Sequence, residues 1–319
     1  MTLSVVIVNW NTRPLLVRCL NHLKGLKLPH DCEVFVVDNG SWDGSAEAVR
    51  GAFPQVKLLE NNRNLGFAKA NNQALRRCAG QYVLLLNPDC YPEEQAVQIL
   101  LRALVDDPKV GIAGGALIHP NGRPQNAFGA APTLATELLP KGVLQILLPR
   151  RYPSKRMSPV KPLEVEAVLG AFLMVRREAL VQVGGMDEGY FLFLEETDWC
   201  LRMLKKGWKV IHVPNARALH LQGQSAEQDL GRARVEFNRS RYRFFAIHRG
   251  RLSWMALRAG ILLKCVLNWL SSGVMARFPL ARRQHWARRH EVDRLLLSWQ
   301  LRGCPAGWGL DSRSSSYHS

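Results

Sequence analysis

The sequence predicts an α/β domain with a mostly parallel central sheet, helices on both faces and a helical, basic C-terminal extension. Three observations carry this. Over residues 1–118, short apolar β-branched runs alternate with segments of helical spacing, the pattern of βαβ units. Loops rich in Asn and Asp follow the apolar runs, at the carboxyl edge where open α/β sheets bind ligands. Beyond residue 225 the alternation stops and arginine-rich amphipathic segments take over. With 319 residues and 47% hydrophobic content, the chain can pack one large domain with an appendage, or two domains.

Each element has its own signal. Leu3–Val8 is a continuous β-branched run; it is too short for a signal-peptide core, lacks a basic leader and reads as the first strand. Leu16, Leu20 and Leu23 set a helix over Arg13–Leu23. Strands at Glu33–Val37, Val56–Leu59 and Tyr82–Leu86 interleave with helices at Asp43–Ala52, Phe67–Cys78 and about Pro92–Val105. Val110–Ala113 begins another strand. From His119 to Pro162 the pattern dissolves into Pro, Gly and the pairs Arg150-Arg151 and Lys155-Arg156, so 119–164 is expected to be a variable, mobile excursion. Order returns at Val165, with an apolar Gly170–Val175 and a short helix Ala179–Val183 broken by Gly184-Gly185. A helix over Glu195–Lys206 follows, with Trp199 as core or acceptor wall, then closing strands at Trp208–Val213 and Ala216–Leu221. The expected domain is thus 1–225. Helical patterns at Ala226–Ile247, Leu252–Met275 and Arg282–Arg302 form the extension over 226–311, and 312–319 is expected to be disordered.

Charge is uneven. Of the net +17, +11 falls in Arg241–Arg302, where thirteen Lys or Arg meet only Glu291 and Asp293. Such a segment needs an acidic partner. No zinc, RRM or KH signature accompanies it, so nucleic acid is not the expected partner. Within the extension, Ala259–Met275 has one charge, Lys264, and falls short of the roughly 20 apolar residues of a spanning helix. An interfacial anchor on anionic lipid is expected, with Trp254, Leu257, Ile261, Trp269 and Phe278 among the headgroups; the plain alternative is a helical subdomain over the core. Seven scattered cysteines without a C-x-x-C pair favour buried, reduced thiols.

Four polar constellations follow the first four strands. Asn9-Trp10-Asn11-Thr12 lacks the glycines of a dinucleotide fingerprint, and equally those of a nucleotidyltransferase loop. Asp38, in Asp38-Asn39-Gly40-Ser41, can accept hydrogen bonds from a ribose or base edge, or form an ordinary Asx turn. Arg63, within Asn61-Asn62-Arg63-Asn64, can engage phosphate or base. Asn87-Pro88-Asp89 presents a hard oxygen ligand suited to Mg²⁺ or Mn²⁺ on a diphosphate, or else a cap for the next helix. Glu195 and Glu196, beside Asp198, open a predicted helix. Carboxylates there can simply match the helix dipole; alternatively, crowding of like charges lifts one carboxyl toward a base that works near neutrality.

These motifs form a series: VVIVNWNT from Val5, VVDNGSWDGS from Val36, NNRNLGFAKANN from Asn61 and LLLNPD from Leu84. It continues with GAFLMVRR from Gly170, GGMDE from Gly184, EETDWCLR from Glu195 and HLQGQS from His220. The series resembles the family 2 glycosyltransferases of the Rossmann-like GT-A fold, in particular their bacterial rhamnosyltransferase-like branch, over about residues 1–225. The resemblance implies that Asp38 holds a uracil or thymine nucleotide, with Asn9, Asn11, Arg63, Asn64, Asn71 and Asn87 around the donor. It implies that Asp89 ends a D-x-D motif whose first Asp is here Asn87, and that His220 joins Asp89 on Mg²⁺ or Mn²⁺. Glu196 is then the general base, Glu195 its alternative, and Asp198 an acceptor contact. The implied reaction is inverting transfer of a sugar, rhamnose being the expected one, from a dTDP- or UDP-sugar to a hydroxyl of a bacterial surface glycan or polyprenyl-linked acceptor. The implied location is the cytoplasmic side of the membrane. A non-catalytic scaffold and a basic nucleic-acid-binding protein are the competing classes.

Overall fold

A computed structural model describes residues 2–140, 142–144, 160–221, 229–277 and 283–311. The chain divides into two compact units, one from Met1–Ala131 and Lys155–Ser225, the other from Pro132–Ser154 and Ala226–Ser319.

The first unit is built on one large sheet. Its strands are β1 (Leu3–Asn9), β2 (Cys32–Asp38), β3 (Lys57–Glu60), β4 (Tyr82–Leu86), β5 (Cys90–Pro92), β6 (Val110–Ile118), β8 (Leu163–Glu164), β10 (Phe172–Arg176) and β11 (Lys209–His220); β7 (Phe128–Gly129) pairs separately with β9 (Ala167–Val168). The order is β3-β2-β1-β4-β10-β6-β11-β5, with β8 beside β11. β1 to β4, β6 and β11 all run one way, while β10 is inserted antiparallel between β4 and β6. The helices are α1 (Arg13–Gly25), α2 (Ser45–Ala52), α3 (Phe67–Leu75) and α4 (Ala96–Asp106), followed after the excursion by α6 (Arg177–Val183) and α7 (Glu195–Lys205). Every residue of β4 is buried, which is why its sequence is a continuous apolar run rather than an alternation. Two hydrophobic clusters, centred on Leu16, Leu84 and Leu100 and on Val6, Leu85 and Trp199, line the sheet.

Several boundaries differ from the expectation. The two closing strands are one, β11, whose pairing with β6 is irregular between Val213 and Arg217. Pro214 lies there and has no N–H to give the ladder. No helix starts at Pro92: Asp89 is followed by β5, and α4 begins at Ala96 behind Gln95. The excursion over 119–164 is divided, with residues 119–131 in the first unit and 132–140 in the second. Arg150-Arg151, Lys155-Arg156, Gln222–Ser225, Phe278 and the tail 312–319 lie outside the described residues.

The second unit is helical: α5 (Leu134–Leu138), α8 (Leu230–His248), α9 (Gly250–Arg277) and α10 (Arg283–Leu301). α9 is long and apolar enough to cross a membrane, with mean hydropathy 1.4 over its best window, 17% of which is buried. Lys264 does not interrupt its outer face, because its Nζ donates to the Glu137 carbonyl at 2.7 Å, while the Glu137 carboxylate pairs with Arg241. The inner face carries Leu257 (0% exposed), Ile261 (3%) and Cys265 (6%). Leu257 and Ile261 are therefore core residues rather than the headgroup contacts the sequence suggested. Its exposed large hydrophobic residues are Leu252, Met255, Leu263, Leu267, Leu270, Val274 and Met275.

Candidate active site

The carboxyl edge of the first four strands is stitched together by short polar contacts. Register pairs Asn9 with Asp38, so the loops after β1 and β2 leave side by side. Asp38 is buried; one carboxylate oxygen accepts from Asn9 Nδ2 at 3.1 Å and the other from the Ser41 amide at 3.0 Å. The Asx-turn bond is thus present, and the helix-starting role falls to Asp43, which accepts from Ser45 N and Oγ. Asn11 adopts φ 52°, accepts from the Trp42 amide at 2.9 Å, and has no partner for its buried Nδ2 among the described residues. Asn9 and Asn11 therefore fix the loop that frames Asp38.

Arg63 reaches this turn because Gly40 yields room. A Cβ on Gly40, which has φ 76°, would stand 2.6 Å from the Arg63 backbone. Asn39 bonds Asn64 Oδ1 at 2.8 Å and accepts from Asn61 and from the Leu65 amide at 3.0 Å each. Asn64 is thereby committed to the loop. Asn71 is buried in α3 and donates to the Phe67 carbonyl at 2.9 Å. Asn64 Oδ1 also accepts from the Gly66 amide at 2.9 Å.

Asp89 caps no helix. It is 7% exposed, and its Oδ1 lies 3.4 Å from Nε2 of His220, which is 4% exposed. Pairing of β5 with β11 sets Cys90 opposite His220, and the Leu221 amide donates to the Asp89 carbonyl at 3.0 Å. Two neighbouring ligands on a Mg²⁺-sized cation stand about 3 Å apart, so the pair fits such an ion. Among the described residues no group of three or more His, Cys, Asp or Glu could hold a metal. Two protein ligands with the remainder from phosphates and water is the usual Mg²⁺ arrangement.

Glu196 enters this edge from α7. A Cβ on Gly170 would stand 3.6 Å from Glu196 Cβ and 3.5 Å from the Phe67 ring. The next residue, Ala171, accepts from the Asn87 amide at 3.0 Å. One short segment, Gly170-Ala171, thus joins the Asn87–Asp89 turn to Glu196. Glu196 is half-buried, and desolvation pushes its carboxyl up to about 7, with its own backbone N–H and the Thr197 hydroxyl working against that rise. Glu195 is 3% exposed. Asp198 is 1% exposed and accepts from Arg202 Nε at 2.8 Å, while Arg202 also donates to the carbonyls of Val183 and Gly185. Arg202, held by Asp198 within α7, thus ties that helix to the Gly184-Gly185 turn. Trp199 is wholly buried, its Nε1 donating to the Gly184 carbonyl at 2.8 Å, which settles it as core.

Sequence reasoning missed Asn39, Asn72, Gln125 and Gly170. Asn72 clamps the Met186 turn, exchanging bonds of 2.8 and 2.9 Å with the Met186 backbone. Its presence in the NNRNLGFAKANN motif was a signal; Gln125, in the aperiodic excursion, had none.

Residues 4–184 match the profile of Glycosyl transferase family 2. The chain is 31% identical over 292 residues to the N-acetylglucosaminyl-diphospho-decaprenol L-rhamnosyltransferase of Mycobacterium tuberculosis, covering 83% of this chain and 94% of that protein. It is 24% identical over 227 residues to a low-salt glycan biosynthesis hexosyltransferase of Haloferax volcanii, covering 69% of this chain and 67% of that protein. Among solved structures, a mannosyltransferase from Pyrobaculum calidifontis in complex with GDP-Man and Mn²⁺ superposes with TM-score 0.56 at 17% identity, over 94% of this chain and 86% of that one. GalNAc-T7 with UDP, GalNAc and Mn²⁺ gives TM-score 0.56 at 17% identity, over 99% of this chain and 58% of that one. Divalent-metal use alongside a nucleotide-sugar thus occurs within this fold. From the profile match and the near full-length likeness to a rhamnosyltransferase it follows that the chain belongs to glycosyl transferase family 2, enzymes that move a sugar from a nucleotide-sugar donor to a hydroxyl acceptor.

Proposed function

We propose that the protein is an inverting, metal-dependent transferase that passes a sugar, rhamnose by its likeness to the mycobacterial enzyme, from a dTDP- or UDP-sugar to a polyprenyl-linked glycan. The observation that supports the reading is the junction at Gly170-Ala171: Gly170 packs beside Glu196, whose carboxyl burial lifts to about 7, and Ala171 accepts from Asn87 of the turn that carries Asp89. Asp38 and Arg63 bind the nucleotide, with Asn9 and Asn11 shaping the loop around it. Asp89 and His220 would hold the divalent cation, which when bound neutralises charge on the departing diphosphate.

Glu196 accepts the proton of the acceptor hydroxyl. The hydroxyl oxygen bonds to the anomeric carbon as the bond from that carbon to the diphosphate oxygen breaks, and the electron pair leaves with the diphosphate. A base near 7 is half-ionised at neutral pH and still strong enough to take the proton. The Glu196→Gln variant is expected to fold, bind donor and lose transfer by about 10²-fold or more. Transfer at the wild-type rate would remove Glu196 from this role.

The second unit is proposed to rest on the cytoplasmic face of the membrane, where a lipid-linked acceptor would be presented. Its support is the apolar outer face of α9 together with the basic excess of Arg241–Arg302.

A further inference from the structure

After β6 ends at Ile118, the chain turns at once. The Gly122 amide donates to the His119 carbonyl at 2.8 Å, and the Gln125 amide to the Leu117 carbonyl at 2.8 Å. Gln125 is thereby fixed beside the end of β11. Its side chain makes three contacts: Nε2 lies 2.6 Å from the His220 carbonyl oxygen and 3.0 Å from His119 Nδ1, and Oε1 lies 2.9 Å from His220 Nδ1. The first contact settles the orientation of the amide, since an atom that close to a carbonyl oxygen must carry a hydrogen. The other end is therefore the oxygen, which can only accept. It requires the ring proton of His220 to sit on Nδ1. In the neutral ring, the form that can ligate a cation, the lone pair is then on Nε2, the atom that faces Asp89 Oδ1 at 3.4 Å.

We propose that Gln125 is a positioning residue for the metal site, holding His220 as the Nδ1–H tautomer with Nε2 bare toward the cation shared with Asp89. This rests on the reading of Asp89 and His220 as metal ligands. A metal-bound imidazole ordinarily gives its second N–H to an oxygen acceptor, and loss of that acceptor weakens metal binding. Gln125 is that acceptor, and its NH₂ group, held by the His220 carbonyl and by His119, keeps the oxygen aimed at the ring.

The test reads tautomer and metal separately. Long-range ¹H–¹⁵N spectra of the full chain report which ring nitrogen of His220 is protonated, and Mn²⁺ titration followed by EPR in the presence of UDP reports affinity. Gln125→Met keeps the length and removes both polar ends; it is expected to lose the single Nδ1–H state and weaken Mn²⁺ about tenfold or more. Gln125→Glu keeps the acceptor and loses the donor; it is expected to restore the tautomer and most of the affinity. A residue that only braced the loop would behave the other way, because the bond to the His220 carbonyl needs the donor that Glu lacks. Retention of the Nδ1–H state and of Mn²⁺ affinity to within about twofold in Gln125→Met overturns the proposal, as does a Gln125→Glu no better than Met. If wild type binds Mn²⁺ and His220→Ala does not, the metal reading stands whatever Gln125 does. A wild type without Mn²⁺ uptake, or a His220→Ala that binds equally, overturns that reading and the proposal with it.

Discussion

Burial raises Glu196 to about 7, so its protonation changes near neutral pH. In the proposed mechanism Glu196 must be ionised to take the acceptor proton. The rate of transfer is therefore expected to fall about tenfold per pH unit below about 7 and to level off above it, in a pH–rate profile at saturating donor. Asp198 sits two residues on, and its surroundings are different. It is buried against Arg202, which also caps the carbonyls of Val183 and Gly185. Asp198→Asn weakens a buried charge-assisted bond and is expected to cost about 2 kcal/mol, read as a lower denaturant midpoint. That both acids occupy the first turn of one helix was plain from their spacing. That desolvation lifts Glu196 while Asp198 holds an arginine locked to another segment was not, because the Val183 and Gly185 carbonyls that fix Arg202 lie outside the helix.

The loops between elements owe their close approach to glycine at two positions. Gly66 has φ 86°, and a Cβ there would stand 2.6 Å from the Phe191 carbonyl oxygen, the acceptor for the Phe67 amide that starts α3. Gly66→Ala is expected to cost about 2 kcal/mol through this strain and to raise the donor KM, since the loop bearing Arg63 and Asn64 would shift; thermal melts and initial rates check both. β1, β2 and β4 were legible because strands buried on both faces read as near-continuous apolar runs. β5 and the insertion of β10 were not. A strand of three residues shows no periodicity, and the direction of a strand leaves no mark on its composition.

In the helical unit, Glu236 is buried against Arg239 and Asp311, and desolvation lifts its carboxyl to about 7. Its folded value lies above its unfolded one, so the native state binds the extra proton. The stability from this group is present in full below the ordinary carboxylate value and is lost as pH rises toward about 7. Glu236→Gln is expected to remove that decline, worth at most about 3 kcal/mol, in melts compared at pH 5 and pH 8. On the same unit, α9 presents a row from Leu252 to Val274, about 33 Å long at the rise of an α-helix. Leu263→Glu with Leu267→Glu is expected to abolish cosedimentation with anionic vesicles, and high salt to weaken the wild-type interaction. Wild-type protein that stays in solution in low and high salt would remove the membrane from the account.

By itself the sequence determined the α/β class, most of the sheet, the order of the polar loops at one edge, and the family they spell. These follow from periodicity and from short motifs, which are local. Only the tertiary structure decided that Leu257 and Ile261 point inward, that Arg202 is tied to the Val183 and Gly185 carbonyls, that Asp89 precedes a strand, and that Gln125 meets His220. Each depends on which of several compatible faces or partners packing selects. That choice is made by contacts between residues up to 95 positions apart, which no window along the chain contains.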